Sequence, residues 1–285
     1  MEYSFLEICA MFFIYAFLGW CTEVAFAAVN TGGFVNRGFL NGPVCPIYGF
    51  GLVIVVLCLT SVEHNALLLF GGAFFLTSAL EYITGFSLEK IFHSRWWDYS
   101  DMPFNLGGYV CLKFSLIWGL ACLLVMKILH PAILLFIGFI PLVLLHVLVG
   151  LSTVGIITDA TVTIIGIHKL NARLNMLTRL TAELRDLSDG MGEVISENVL
   201  AAKGKLEGAK DAIEEAKDVL EEKKDELEEK HRHIAEISAE KREQIRALLA
   251  ERNRMDFRII HAFPNMKWSL NQEALDRLRA RYMKK

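Results

Sequence analysis

Charge is scarce over the first 168 residues. Between Pro131 and His168 the one formally charged side chain is Asp159. No C-x-x-C pair occurs among the six cysteines, Cys9, Cys21, Cys45, Cys58, Cys111 and Cys122. That removes the common spacing for a redox or zinc centre, and small packing residues in apolar helices are the simpler reading. No basic stretch precedes the first apolar run, where Glu2 and Glu7 stand instead. Ala25-Phe26-Ala27 resembles a cleavage site, but this run is long enough to cross a bilayer and is expected to stay as a span. There is no G-x-x-x-x-G-K-[ST] loop, so no ATPase of its own is expected. There is no H-E-x-x-H, and His93, His146 and His168 lack metal-ligand spacing. No nucleophile elbow is present. Basic residues of the tail are balanced by acids, which argues against nucleic-acid binding. The expectation is no catalytic residue, no metal and no cofactor.

What remains is apolar surface, unevenly placed. The chain has 285 residues, 54% of them hydrophobic, and a mean hydropathy of +0.39. Apolar runs cover 5–29, 46–62, 67–86 and 109–128, each near the ~17–25 residues that cross ~30 Å of hydrocarbon. The stretch 131–168 is too long for one straight span. It reads either as two short helices turning at Gly150-Leu151-Ser152 or as one span over 141–165. The second is preferred, because Pro141 suits a first helical turn; 132–139 then forms an outer interfacial segment. The fold expected is all-α: a polytopic bundle of about five spans with a long helical, coiled-coil-like tail. The expected domains are a membrane unit over 1–168, a charged helical tail over 169–255 and a short amphipathic segment over 256–285.

Basic residues in short loops set the orientation. With the tail inside, the inner loops 30–45 and 87–108 carry Arg37, Lys90 and Arg95, with Lys113 just beyond. The outer segments hold Glu2, Glu63, His64 and His130, with Lys127 as their basic residue. The N-terminus is therefore expected outside and the tail in the cytoplasm.

In the tail, Leu170, Leu174, Leu177, Leu180, Leu184 and Leu187 form one apolar stripe, which Asp189-Gly190 and Gly192 are expected to interrupt. A heptad follows on Leu206, Ile213, Leu220, Leu227 and Ile234, with Ala209, Ala216, Lys223, Lys230 and Ile237 between. Self-paired coiled coil, solvated single helix and helical hairpin all fit it. In the last segment Phe257, Ile260, Phe263 and Trp268 need cover from a partner, the bilayer surface or the tail itself.

Ionisable groups inside a membrane are functional suspects by default. Four acids qualify: Glu7, Glu23, Glu81 and Asp159. The last three fall toward the inner side, where Arg37, Arg95 and Lys113 also lie. A polar pocket at the inner leaflet is expected from Glu23, Asn36, Arg37, Asn41, Glu81, Arg95, Trp97, Asp98, Asn105 and Asp159. Trp96 to Ser100 would pack beside a tight 36–43 turn, and Pro103-Phe104-Asn105 would close it. The alternative is structural: Glu23 and Glu81 neutralise Arg37 and Arg95, and the aromatics form an interfacial belt.

The runs Gly19-Trp20 with Glu23, Asn36 to Gly49, Leu80-Glu81-Tyr82, Trp96 to Ser100, Pro103-Phe104-Asn105, Trp118-Gly119 and Ala262 to Met266 carry a resemblance. They are similar to the ABC-transporter type IV family, also called CmpB-type permease-like membrane proteins of bacteria, over roughly the first 165 residues. The resemblance implies a bacterial cell-membrane permease subunit that works with a separate nucleotide-binding subunit. Two other readings compete. One is a membrane-anchored scaffold or sensor that acts, and self-associates, through its tail. The other is an intramembrane lipid-modifying enzyme.

Overall fold

Ser4 opens the first helix, α1 (Phe5–Thr31), with a capping box: its hydroxyl accepts the Glu7 N–H, and the Glu7 carboxylate accepts the Ser4 N–H at 2.8 Å. Glu7 is thereby used as a cap. Pro46 starts α2 (Pro46–Leu59), which ends in a 3-10 turn over Thr60–Val62. The Asn65 side chain accepts the Leu67 and Leu68 N–H groups and starts α3 (Ala66–Phe92). The structure is a computed structural model, and it describes residues 3–208, 213–251 and 253–283; of these, the side chains of 194, 195, 197, 198, 201–227 and 283 are left aside.

The stretch expected to be an interfacial segment is instead part of a continuous apolar helical stretch, Leu112–Phe139, long enough to cross a membrane. α4 (Leu112–Leu124) continues through a π turn at Val125–Leu129 into α5 (His130–Phe139). Pro131 lacks an N–H and crowds the preceding turn, and the widened π turn accommodates it without a break. The His130 ring, buried in the bundle, is held by the Tyr3 hydroxyl at 3.0 Å and the Tyr15 hydroxyl at 2.7 Å. The break comes at Ile140, which is extended because the residue before a proline avoids the helical region.

From there α6 (Leu142–Gly208) runs unbroken for 67 residues, about 100 Å at 1.5 Å each. It does not turn at Gly150 to Ser152, and it passes through Gly190 and Gly192. A glycine costs roughly 1 kcal/mol in a helix interior, too little to stop a helix this long and otherwise well populated with helix formers. Among the described residues, four helical stretches are long and apolar enough to cross a membrane: Phe5–Thr31, Ala66–Phe92, Leu112–Phe139 and the first part of Leu142–Glu193. Pro46–Val62 is a shorter apolar helix. The protein is all-α apart from two-residue strands.

Beyond the bundle, α7 (Ile213–Ala250) returns along α6. At the base of this pair Leu170, Leu174, Leu177 and Leu180 are buried against Ile245, with Leu184, Leu248 and Leu249 beside them. Farther out, Ala209 of the heptad lies outside the described residues, as do the side chains of Leu206, Ile213, Ala216, Leu220, Lys223 and Leu227.

The C-terminal segment covers itself on the chain. It comprises α8 (Arg254–Ala262), β4 (Lys267–Trp268) and α9 (Gln272–Met283). β4 pairs antiparallel with β1 (Ser94–Arg95), and Ile260, Trp268, Leu275 and Leu278 are buried with Phe92 and Trp96. Phe257 stays 47% exposed. Arg173 is buried on the α6 stripe. It donates to Asp256 at 2.6 Å and to the carbonyls of Leu248 and Glu251 where α7 ends. It thus caps one helix and neutralises a carboxylate at once. Burial nonetheless pushes the Asp256 carboxyl up, with Arg173 opposing. Lys267 donates to Asp98 at 2.6 Å.

Two outcomes are expected. Arg173→Met leaves Asp256 buried without its partner and destabilises the tail base by about 3–5 kcal/mol, whereas adding Asp256→Leu recovers most of that loss; thermal melts of both variants decide it. Burial raises the Asp98 carboxyl, but hydrogen bonds from Lys267 and Ser100 outweigh it and hold the group at about 2, below its ordinary 3.8. A depressed value stabilises the folded state above the ordinary value and loses that effect as pH falls through the depressed one. Proteolytic clipping of the C-terminal segment should therefore rise as pH falls below about 4, and Asp98→Asn should remove that rise.

Candidate functional site

Two loops, the base of α6 and the C-terminal segment meet at the tail end of the bundle. The first loop, residues 32–45, joins α1 to α2. Its residues 38–42 are gripped from both sides. On one side Asp159 of α6 accepts the backbone N–H groups of Asn41 at 3.0 Å and Gly42 at 2.6 Å, the Asn41 amide at 2.7 Å and the Thr163 hydroxyl at 3.2 Å. On the other, the Arg258 guanidinium of α8 donates to the carbonyls of Gly38, Phe39 and Leu40, each at 3.0 Å. Irregular backbone near a membrane must find partners for its own polar groups, and here amides go to a carboxylate and carbonyls to a cation. Asn36 closes the turn: it accepts from the Trp20 indole at 2.7 Å and donates to the Asn41 carbonyl at 2.6 Å.

Glu23, near the end of α1, pairs with Arg37 at 3.3 Å and accepts from the Tyr48 hydroxyl at 2.7 Å. The Arg37 guanidinium lies 5.0 Å from the Phe26 ring centroid. Gly19, one turn before Glu23, makes room for that tyrosine. A Cβ there would lie 2.3 Å from Tyr48 Cγ.

The second loop, residues 93–111, joins α3 to α4 and repeats this construction. Glu89 pairs with Arg95 at 2.5 Å and accepts from the Tyr109 hydroxyl at 2.8 Å, and Arg95 lies 4.9 Å from the Tyr109 ring centroid. Gly85, one turn before Glu89, would put a Cβ 3.0 Å from the Tyr109 ring. Trp97 donates to the Tyr109 carbonyl at 2.9 Å. Asp98 accepts from Ser100 and Lys267 and lies 3.7 Å from Arg95. Asn105 opens β2 (Asn105–Leu106), which pairs with β3 (Val110–Cys111). Its side chain donates to the Ser100 and Met102 carbonyls at 3.2 and 2.8 Å and accepts the Gly108 N–H at 3.1 Å. Phe104 does not close the turn. It is 82% exposed and sits at a positive φ of 54°.

The residues singled out in the sequence therefore fall into two bonded groups. Glu23, Asn36, Arg37, Asn41 and Asp159 belong to the first loop. Glu81, Arg95, Trp97, Asp98 and Asn105 belong to the second. Glu23 does neutralise Arg37, but the partner of Arg95 is Glu89, not Glu81. Glu81 instead accepts from the Tyr99 hydroxyl at 3.3 Å. Glu89, Tyr109, Arg258 and Lys267 were missed by sequence reasoning, and Tyr48 and Tyr99 stood only within longer runs, with no role of their own. One signal could have found Glu89: Gly19 and Gly85, Glu23 and Glu89, Gly42 and Gly108, and Val44-Cys45 and Val110-Cys111 are separated by one constant offset. Both cysteines hold the same place, the residue just before a helix, α2 in one case and α4 in the other. Nothing comparable marks Arg258. Among the described residues no cluster of His, Cys, Asp and Glu is arranged to hold a metal.

No curated protein and no solved structure matches the chain. A family model does, over residues 10–164, which takes in most of α1, all of α2 to α5, both loops and Asp159. That match covers more than half of the chain: the protein belongs to the membrane family described as "Putative ABC-transporter type IV".

Proposed function

We propose that the protein is a permease-like subunit of a transport assembly, driven by a separate ATPase subunit that meets the tail. It crosses the membrane five times, with Pro46–Val62 as the short second span, its N-terminus outside and its tail in the cytoplasm. The basic residues Arg37, Lys90, Arg95, Lys113, Lys169 and Arg173 gather at the tail end, as the positive-inside rule requires of a cytoplasmic face.

The observation that carries this reading is the double hold on residues 38–42. Asp159 lies where α6 leaves the apolar region, and Arg258 lies on the segment that follows the α6–α7 pair. A force on the long helices reaches a membrane loop through these bonds, which is the mechanical requirement of a transport subunit powered from outside the bilayer. The polar groups of both loops then form the inner mouth. Family membership supports transport, and the lack of a phosphate-binding loop supports a separate ATPase.

A scaffold or sensor acting through a self-associating tail is the second reading, favoured by the length of the α6–α7 pair. In that case the tail works without the loops. The two readings part on Arg258→Ala. The transport reading expects a nucleotide-binding protein to co-purify with the wild type in mild detergent, and expects Arg258→Ala to keep that partner while abolishing transport-linked ATP hydrolysis. Repeated purification without any nucleotide-binding protein, together with tail-dependent dimers, would support the scaffold instead.

A further inference from the structure

The two helix–loop–helix units, α1–α2 and α3–α4, run in the same direction and carry the same Gly-x-x-x-Glu turn neutralised by an arginine and a tyrosine. Repeats of this kind place functional groups along their seam. Between the units, the Tyr48 and Trp118 rings meet at 5.5 Å, and Leu80 packs against Gly51. One carboxyl of the second unit, next to Leu80 in the chain, stands outside the pattern. Glu81 is 9% exposed, and its counterpart at the same offset in the first unit is Tyr15. Among the described residues no cation pairs with it. Its Oε1 accepts one hydrogen bond, from Tyr99 at 3.3 Å, and its Oε2 is buried with no partner.

The groups around Glu81 are themselves accounted for. Tyr99 of the second loop keeps its proton and donates it to Glu81 in a hydrogen bond: burial pushes its hydroxyl up, and the nearby Glu81 carboxylate, the Cys111 thiol of β3 and the Glu23 carboxylate of α1 push it further. Glu23 is matched by Arg37 and Tyr48. One turn deeper on the same face of α3, Ser78 donates to Ser115 of α4 at 2.7 Å. Burying an ionised carboxylate with an empty oxygen is costly, and such a group takes a proton instead. A metal ion would need several further oxygen ligands, and an organic cation would need room. A proton needs only the one free oxygen.

We propose that Glu81 is an exchangeable proton-binding site at the loop end of the second unit, loaded from water at the tail end past Tyr99. On loading, an O–H bond forms at Oε2 and the carboxylate loses its charge. On release, the proton returns to water and a negative charge reappears beside the Tyr99 hydroxyl, which strengthens the hydrogen bond by which Tyr99 ties the second loop to α3. The proton site adds an ion-coupled step to the transport reading and rests on that reading for its purpose. The binding itself does not depend on it.

Infrared difference spectroscopy on the full chain in lipid vesicles tests this without any partner. The wild type should show a protonated-carboxyl C=O band that shifts in D2O and vanishes reversibly on alkalinisation. Glu81→Gln should lack the band, and Glu81→Asp should keep it at a shifted position. A wild type with no pH-dependent carboxyl band overturns the proposal, and so does one whose band survives in Glu81→Gln. A Glu81 band that persists unchanged at every pH marks a fixed structural acid and overturns it too. Should no ATPase co-purify while the band behaves as expected, the transport-subunit reading fails and the proton site stands.

Discussion

The hold on residues 38–42 is the constraint on which the tail end of the molecule depends. Within five consecutive residues, 38 to 40 present their carbonyls to one side, and 41 and 42 present their amides to the other. A single arginine, Arg258, and a single aspartate, Asp159, satisfy both sets. Neither charge is paired directly with the other; each is compensated by backbone dipoles. That arrangement lets an irregular loop sit beside the hydrocarbon, where unsatisfied backbone groups would each cost several kcal/mol. It also fixes where α6 leaves the bundle and where the C-terminal segment returns.

The rest of the tail end follows from this placement. Once α8 is seated on the first loop, β4 reaches β1 and Lys267 reaches Asp98, so both loops are bridged by one segment. The apolar faces of α8 and α9 then cover the leucine stripe at the base of α6, and Arg173 closes the end of α7. The long helical pair is thus rooted in the loops by bonds at several points. A hinged attachment would leave the stripe and the aromatic residues Trp96 and Trp268 in water.

The two loops show how one local solution is used twice with different details. In each, a glycine one turn before a glutamate admits a tyrosine, and an arginine completes the neutralisation. The tyrosines come from different places: Tyr48 belongs to the helix after the first loop, and Tyr109 to the second loop itself. Glu81 breaks the symmetry. A carboxyl that a duplicated pattern does not account for is a better candidate for a task of its own than one already matched by an arginine.

Much of this was legible in the sequence. Uncharged runs bounded by loop residues are enough to define apolar helices, because helix length against bilayer thickness is a one-dimensional constraint. The same holds for the leucine stripe and for the need to cover Ile260 and Trp268. Local signals misplace two boundaries: they end the fourth apolar run at 128, with 132–139 set apart from it, and they make Gly190 an interruption. In both places the chain keeps the helix going. What the tertiary structure alone decided was pairing. Whether Arg95 meets Glu81 or Glu89 depends on the rotation of α3 and the path of the following loop. That Arg258 grips a loop some two hundred residues earlier depends on a fold-back that no short-range pattern encodes. A charged side chain has the same letter whether it faces water, a backbone carbonyl or a buried acid. Its partner is set by three-dimensional proximity, which spacing along the chain does not contain.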